Sequence, residues 1–375
     1  MFQKLRKILL VLIAILALGY LFYKFRNSIT LEGFHWGMVA HSIRNARISL
    51  LFLALIAIYG CFAIRAVRWM RFSRAIGSMN FGHVYRATLM GFTCTFLLGR
   101  AGEPIRPVLI AKKDLLPVPS MFGVYVLERV FDMAAAAIIA GLALMAYEHN
   151  GTGSVPQSDR MVSLARTGGA LLFVLLASAI AFLLYFRFHG AEWLARRLKK
   201  STWQHGWRGK IVVLLEGFSD GLQGIRTWSD LGAVVAYSAA HWFLVVLVYV
   251  WIAHAFSSEP ALAAMTLSGA LVVLAFTLVG SAVQLPGVGG GAQLATFLVL
   301  TLIFGVEKEP AATVSIILWL VSFAGCCLVG LPLLLREGWS MGELRRMATA
   351  EEEAAEAVES AEWAKKVEHL EERLR

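Results

Sequence analysis

The amino-acid sequence predicts an all-α fold: a polytopic helical membrane protein whose two irregular apolar segments are broken or re-entrant helices in an inverted repeat. Three observations predict it. Hydrophobic residues fill 58% of the 375 positions and charged residues 16%, against roughly 45–50% and 25% in soluble globular domains. Six apolar runs of 16–27 residues come close to or reach the length of a bilayer-crossing helix, about 17–25 residues and longer if tilted, the first being short. Two further runs carry proline and glycine at their centres, where a continuous helix would lose backbone hydrogen bonds.

The uninterrupted runs occupy residues 8–23, 49–70, 121–147, 164–186, 231–256 and 311–335. The first follows the basic start MFQKLRK and has no small-residue cleavage site after it, so it reads as an uncleaved anchor. Lys/Arg bias sets the orientation. The N-terminus, the stretch with Arg68, Arg71 and Arg74, the loop from Arg187 to Lys210, and the end at Arg336 fall on the cytoplasmic side. Loops 148–163 and 257–260 are nearly free of Lys and Arg and fall outside. Both termini are then cytoplasmic. Lys24, Arg26, Arg44 and Arg47 in residues 24–48 run against this count.

Residues 84–110 break at GRAGEP and residues 261–305 break at LPGVGGG. By loop parity the first run starts and ends on the cytoplasmic side and the second starts and ends outside. Each is a re-entrant hairpin or a pair of full spans. Opposed broken helices in two halves of a membrane protein point to a transporter-like inverted repeat with a site near the midplane. Irregular backbone at that depth persists only when buried in protein or facing a water-filled cavity. A plain hairpin with a glycine kink is the alternative.

Two helical pieces are expected outside the membrane domain's core. Ile211, Leu214, Leu215, Phe218, Leu222 and Ile225 share one helical face, which suits a helix lying on the cytoplasmic interface or a connector packed on the bundle. Residues 341–375 form a polar cytoplasmic helical tail, separate from a transmembrane domain at 1–340. The last 25 residues hold nine Glu against four Lys or Arg, leaving 31 basic to 16 acidic residues in the remainder. That basic excess lies mostly in loops, as expected beside anionic lipid. With no soluble basic domain, nucleic acid is excluded as a partner.

Cys61, Cys94, Cys326 and Cys327 sit in apolar runs without metal-ligand or disulfide spacing, and read as small buried hydrophobes. No GxxxxGK[ST], HExxH or GxSxG motif occurs. No enzymatic activity, metal or cofactor is expected. Transport driven by ATP on this chain alone is also not expected, so any movement runs downhill, uses an ion gradient or depends on a partner.

The chemistry lies in GRAGEPIR at residues 99–106 and LERVFD at 127–132. A charged side chain at the centre of a bilayer helix costs about 2.5–3.5 kcal/mol on insertion scales. Arg100, Glu103, Arg106, Glu128, Arg129 and Asp132 supply three charges of each sign. Arg100, Glu103 and Arg106 step by three and would share one face of a helix. Glu128 and Asp132 share a face at i,i+4, and Arg129 points about 100° away from Glu128. One arginine can hold a carboxylate while another offers its planar fork to a phosphate or carboxylate. The alternative is a set of ion pairs that staples the first broken segment to the next span and binds nothing. Arg65 and Arg68 read as snorkelling side chains near the interface. His241 reads as a helix-packing histidine, and Trp69, Trp203, Trp207, Trp228 and Trp339 as interfacial belt anchors.

A GE..R turn, a following ERxxD span and a late PG-G-rich turn together resemble the lysylphosphatidylglycerol synthase transmembrane region, a flippase-like membrane family, over about residues 5–336. The resemblance implies a fold with an inverted repeat and re-entrant helices. It implies a substrate site at Gly102, Glu103, Arg106, Glu128, Arg129, Asp132, Pro286, Gly287 and Gly289, to which the charge pattern adds Arg100. It further implies a protein of the bacterial inner membrane that moves a charged-headgroup lipid or lipid-linked molecule between leaflets. Its partners would be the phospholipid or lipid-linked substrate, the membrane, and a second copy of the chain or a separate synthase. An intramembrane lipid-modifying transferase using Glu103, Glu128 or Asp132 as base, or a membrane partner of a separately encoded synthase, are the competing readings. Two departures stand out. The late motif reads PGVGGGAQ, with Gln293 near a position that is often acidic in the family. Only a polar tail follows the last span, so lysyl transfer is not expected.

Overall fold

The computed structural model describes residues 36–149, 225, 227–281, 284, 285 and 289–338. The expected runs at 8–23 and 164–186, the amphipathic piece before Ile225, the tail at 341–375, and Pro286 and Gly287 lie outside the described residues.

Helix α1 (Trp36–Arg44) precedes α2 (Ile48–Ser73), which begins where the Arg47 N–H donates to the Ala255 carbonyl at 2.8 Å. Helix α3 (Phe81–Leu98) is capped by Asn80, whose side chain accepts from the Gly82 N–H at 2.8 Å. It ends in a tight 3-10 turn at Gly99–Gly102, and α4 (Ile105–Lys113) folds back along it. Helix α5 spans Val118–His149. Helix α6 (Trp228–Ala255) opens on a reciprocal cap in which Thr227 Oγ1 accepts from the Asp230 N–H and Asp230 Oδ2 accepts from the Thr227 N–H.

The short α7 (Pro260–Ala263) leads to α8 (Leu267–Gly280), capped by Thr266. A pair of two-residue strands, β1 (Gln284–Leu285) and β2 (Gly289–Gly290), replaces helix at the second break. Helix α9 (Gly291–Leu302) then returns antiparallel to α8, and the Thr277 and Thr296 hydroxyls meet across the pair at 2.7 Å. Helix α10 (Lys308–Trp319) widens into a π-turn at Leu320–Ala324 before α11 (Cys327–Arg336).

The expected helical membrane architecture is observed. Three helical stretches, Ile48–Ser73, Trp228–Ala255 and Lys308–Arg336, are long and apolar enough to cross a membrane. Phe52, Ile56, Phe243 and Leu335 stay exposed on them, as lipid-facing positions would. Both interrupted runs are broken where their proline and glycine fall.

Helices α2 and α6 pack along most of their lengths at the centre. One apolar core joins them to α8, α9 and α10, and a second joins the end of α2 to α3, α4 and α5. The two broken hairpins enter from opposite ends. Lys113 after the first hairpin pairs with Glu337 after α11, at the end where Arg71 meets Asp230 at 3.2 Å. The open end of the second hairpin lies at the other end, where a His254 ring nitrogen contacts the Met265 carbonyl at 2.9 Å. Their tips meet: β1 touches the Gly99–Gly102 turn, and Arg100 Nη2 donates to the Ser281 carbonyl at 3.3 Å.

Glycine is required where the first hairpin closes. A Cβ at Gly91 would stand 2.5 Å from the Cβ of Arg106, and one at Gly102 would strike the backbone carbonyl of Cys94. Gly102→Ala is therefore expected to destabilise by about 1–3 kcal/mol, the usual cost of overpacking a site that cannot move aside. Gly141→Ala, with nothing within 4 Å of the added Cβ, should be neutral or slightly stabilising. Thermal unfolding of the two purified variants in detergent checks both expectations.

Candidate functional site

Four elements converge on one ionic cluster. Arg65 and Arg68 face inward from α2, one turn apart. Glu128 and Asp132 face them from α5 at the i,i+4 spacing. Arg106 arrives from α4, carried by the fold-back at Gly91. Helix α6 adds Ser238, whose hydroxyl accepts from Arg68 Nη1 at 3.0 Å.

Glu128 is the hub. Its Oε1 accepts from Arg68 Nη2 at 2.8 Å and from Arg65 Nη1 at 3.3 Å, while its Oε2 is engaged by Arg106. Asp132 is held at 2.8 Å by Arg68, at 3.0 Å by Arg65 and at 3.0 Å by Arg129. The Arg106 guanidinium lies over the Trp69 ring at 4.3 Å, and Phe92 is flanked by Arg65 and Arg106 at 5.4 Å each. Faces of aromatic rings attract cations. These walls keep water from the inner arginines without removing all favourable contacts.

Exposure grades the cluster into a core and a rim. The side chains of Arg68, Glu128 and Arg106 are 0%, 1% and 5% exposed, whereas those of Glu103 and Arg129 are 24% and 35% exposed. At the rim, Tyr125 donates to Glu103 Oε2 at 2.5 Å and stacks near the Arg129 guanidinium at 5.3 Å. Arg129 reaches Glu103 and Glu128 only at 3.8 Å, and its Nε is buried with no hydrogen-bond partner among the described residues. Arg65, Arg68, Arg106 and Arg129 face Glu103, Glu128 and Asp132, four formal positive charges against three negative. Among the described residues this leaves one surplus cation, and Arg129, although paired with Asp132, keeps an unsatisfied N–H at the rim; the set suits an anion as a further partner.

Several residues stand where the sequence did not place them. Arg100, Glu103 and Arg106 do not share a helix face, because the 3-10 turn and Pro104 separate them. Arg106 is driven into the core, Glu103 stays on the rim, and Arg100 is exposed and bridges to Ser281. Arg65 and Arg68 do not snorkel. Trp69 is no belt anchor either, since it is buried beneath Arg106, whereas Trp228 is fully in an exposed position. Gly102 acts through close packing against α3. Gly289 sits in β2 opposite Leu285. Gln293, at the often-acidic position, caps α9 by accepting the Gly290 N–H at 2.5 Å. His241 is buried and packs edge-on against Trp242. Its Nδ1 has no hydrogen-bond partner among the described residues. Cys61, Cys94 and Cys326 are buried free thiols, and Cys327 is partly buried.

A helical membrane protein with a buried, net-cationic arginine–carboxylate cluster beside two opposed broken hairpins is the class that the fold and site define. The chain belongs to the lysylphosphatidylglycerol synthase TM region family, whose sequence pattern matches residues 7–330. It is thus a membrane protein of a lipid-related family. No curated protein and no solved structure matches it.

Removing one partner of a buried ion pair leaves an uncompensated charge and typically costs about 3–5 kcal/mol. Arg68→Met should therefore destabilise strongly, because Glu128 and Asp132 each lose a 2.8 Å contact. Arg129→Met, at the 35% exposed rim, should cost about 1 kcal/mol or less. Denaturation of both variants in the same detergent measures the difference.

Proposed function

We propose that this protein moves a charged-headgroup lipid or lipid-linked molecule between the leaflets of the bacterial inner membrane. The observation that carries the reading is the surplus positive charge of the cluster, graded from a locked core to an accessible rim. A headgroup phosphate would engage Arg129 first, taking the place of its long contacts to Glu103 and Glu128. Arg65, Arg68 and Arg106 would keep Glu128 and Asp132 ionised and fixed, so the site does not collapse when Arg129 turns to the substrate. Acyl chains need no polar path and would remain in the bilayer.

The hairpin dimensions support this reading. Helices α8 and α9 have 14 and 12 residues, or about 21 and 18 Å at 1.5 Å per residue. Both fall short of the roughly 30 Å hydrocarbon core. A re-entrant second hairpin whose tip stops at mid-depth accounts for that length, and the contact between the tips would bring both breaks to the same level. Arg100, exposed at that contact, offers a second guanidinium to a passing headgroup.

Reorientation of labelled anionic phospholipid in proteoliposomes tests the proposal. Arg129→Ala should slow the protein-dependent rate by at least about tenfold, since a hydrogen bond to a charged group carries about 1.5–3 kcal/mol. Arg129→Lys should recover part of that loss. Equal rates for wild type and for the Glu128→Ala, Arg129→Ala double variant would reject the assignment.

A further inference from the structure

Glu103 and Arg129 carry opposite charges at the mouth of the cluster, yet they do not close on each other. Arg129 Nη1 stands 3.8 Å from Glu103 Oε2, whereas a charge-assisted N–H···O bond closes to about 2.7–2.9 Å. Both side chains are partly exposed, so neither is locked in place by burial alone. Such a pair closes up unless another group holds one member back.

Tyr125 is that group. Its hydroxyl donates to Glu103 Oε2 at 2.5 Å, and this is the same oxygen that faces Arg129. The distance is that of a short O–H···O bond to a carboxylate, about 2.5–2.7 Å. Tyr125 lies four residues before Arg129 on α5, so the two side chains share a helix face. Its ring stands 5.3 Å from the Arg129 guanidinium and packs against the second apolar core. One residue thus touches both members of the pair, the carboxylate through its hydroxyl and the guanidinium through its ring. Asp132 holds Arg129 by Nη2 at 3.0 Å. Arg129 Nη1 is left facing a carboxylate oxygen that Tyr125 already engages.

We propose that Tyr125 is a positioning residue of the anion site: its hydroxyl holds the Glu103 carboxylate back and leaves Arg129 Nη1 open to a phosphate group. The role rests on the cluster being a headgroup site, and it accounts for a rim that does not neutralise itself. Without the hydroxyl, Glu103 Oε2 loses its donor while Arg129 stays within reach. The two then close into a direct pair, which an incoming phosphate has to break. Loss of the hydroxyl therefore acts through the Glu103 charge, and removal of that charge should undo it. A tyrosine that only ties the start of α4 to α5 behaves differently, because removing Glu103 as well restores nothing.

Calorimetric titration of purified full-length protein in detergent, with short-chain phosphatidylglycerol and in parallel with inorganic phosphate, tests the role without a transport assay. Tyr125→Phe keeps the ring beside Arg129 and removes only the hydroxyl. It should weaken phosphatidylglycerol binding about three- to tenfold, between the effect of an exposed ion pair and that of a hydrogen bond to a charged group. Adding Glu103→Gln should return the affinity to the wild-type value or better. The same pattern with inorganic phosphate but not with the lipid supports the role and makes the ligand a free anion. Tm of Tyr125→Phe should stay within a few degrees of wild type; a collapse would mark the hydroxyl as structural and overturn the role. Wild-type affinity in Tyr125→Phe, or a double variant as weak as Tyr125→Phe, would overturn it and leave the lipid reading standing. No saturable binding of either probe by the folded wild type would sink both.

Discussion

Burial of the Glu128 carboxylate is the constraint on which the arrangement depends. At 1% exposure it has no water to solvate it, and an isolated charge so placed carries a penalty of several kcal/mol. Three arginines from two helices offset that penalty, and each demands its own support. Arg106 is available only because the chain reverses at Gly99–Gly102 and α4 presses against α3 at Gly91. Arg65 and Arg68 are available only because α2 is packed lengthwise against α6, which also supplies Ser238. The tertiary structure thus answers an electrostatic problem set by one residue.

That answer leaves more cation than it needs. Pure neutralisation of Glu103, Glu128 and Asp132 would be met by three arginines, and a core of apolar side chains would hold the helices together at lower desolvation cost. The fourth arginine sits at the rim, held at 3.0 Å by Asp132, with two further contacts at 3.8 Å and an Nε that has no partner among the described residues. A staple would place its surplus charge deep and pair it fully. The gradient from locked core to loose rim is the feature that separates a binding arrangement from mere reinforcement.

The helical framework was legible because it rests on composition and punctuation. Runs at 49–70, 121–147, 231–256 and 311–335 appear as helices extended by a few residues at one or both ends, and both proline–glycine interruptions break where expected. The carboxylates of the site were legible too, since Glu128 and Asp132 occupy an apolar span with nowhere else to go. Arg65 and Arg68 were not. They lie near the end of an apolar run where long basic side chains usually reach the interface, and only the approach of α5 turns them inward. The available signal was their three-residue spacing, which mirrors the four-residue spacing of the carboxylates. Trp69 was misplaced for the same reason: its burial is set by α4, which a one-dimensional pattern does not position. Arg100, Glu103 and Arg106 show the converse, because their regular spacing suggested one face while the proline between them dispersed it.

The two hairpins differ in what their inner surfaces can hold, and the contrast bears on how they could work together. The first presents guanidiniums and carboxylates; the second presents the Thr277 and Thr296 hydroxyls, which hydrogen-bond to each other across α8 and α9. They enter from opposite ends and touch through Arg100, Ser281 and the β1 residues at their tips. Under the proposed transport, the Arg100–Ser281 contact ties the residue directly after α8 to the turn that leads into α4 and so to Arg106. Because the hydrogen bond that links them among the described residues is a 3.3 Å contact from an exposed side chain, it is weak enough to be exchanged for a phosphate. A stronger link would hold the hairpins in one arrangement, and no link would leave them free to move separately.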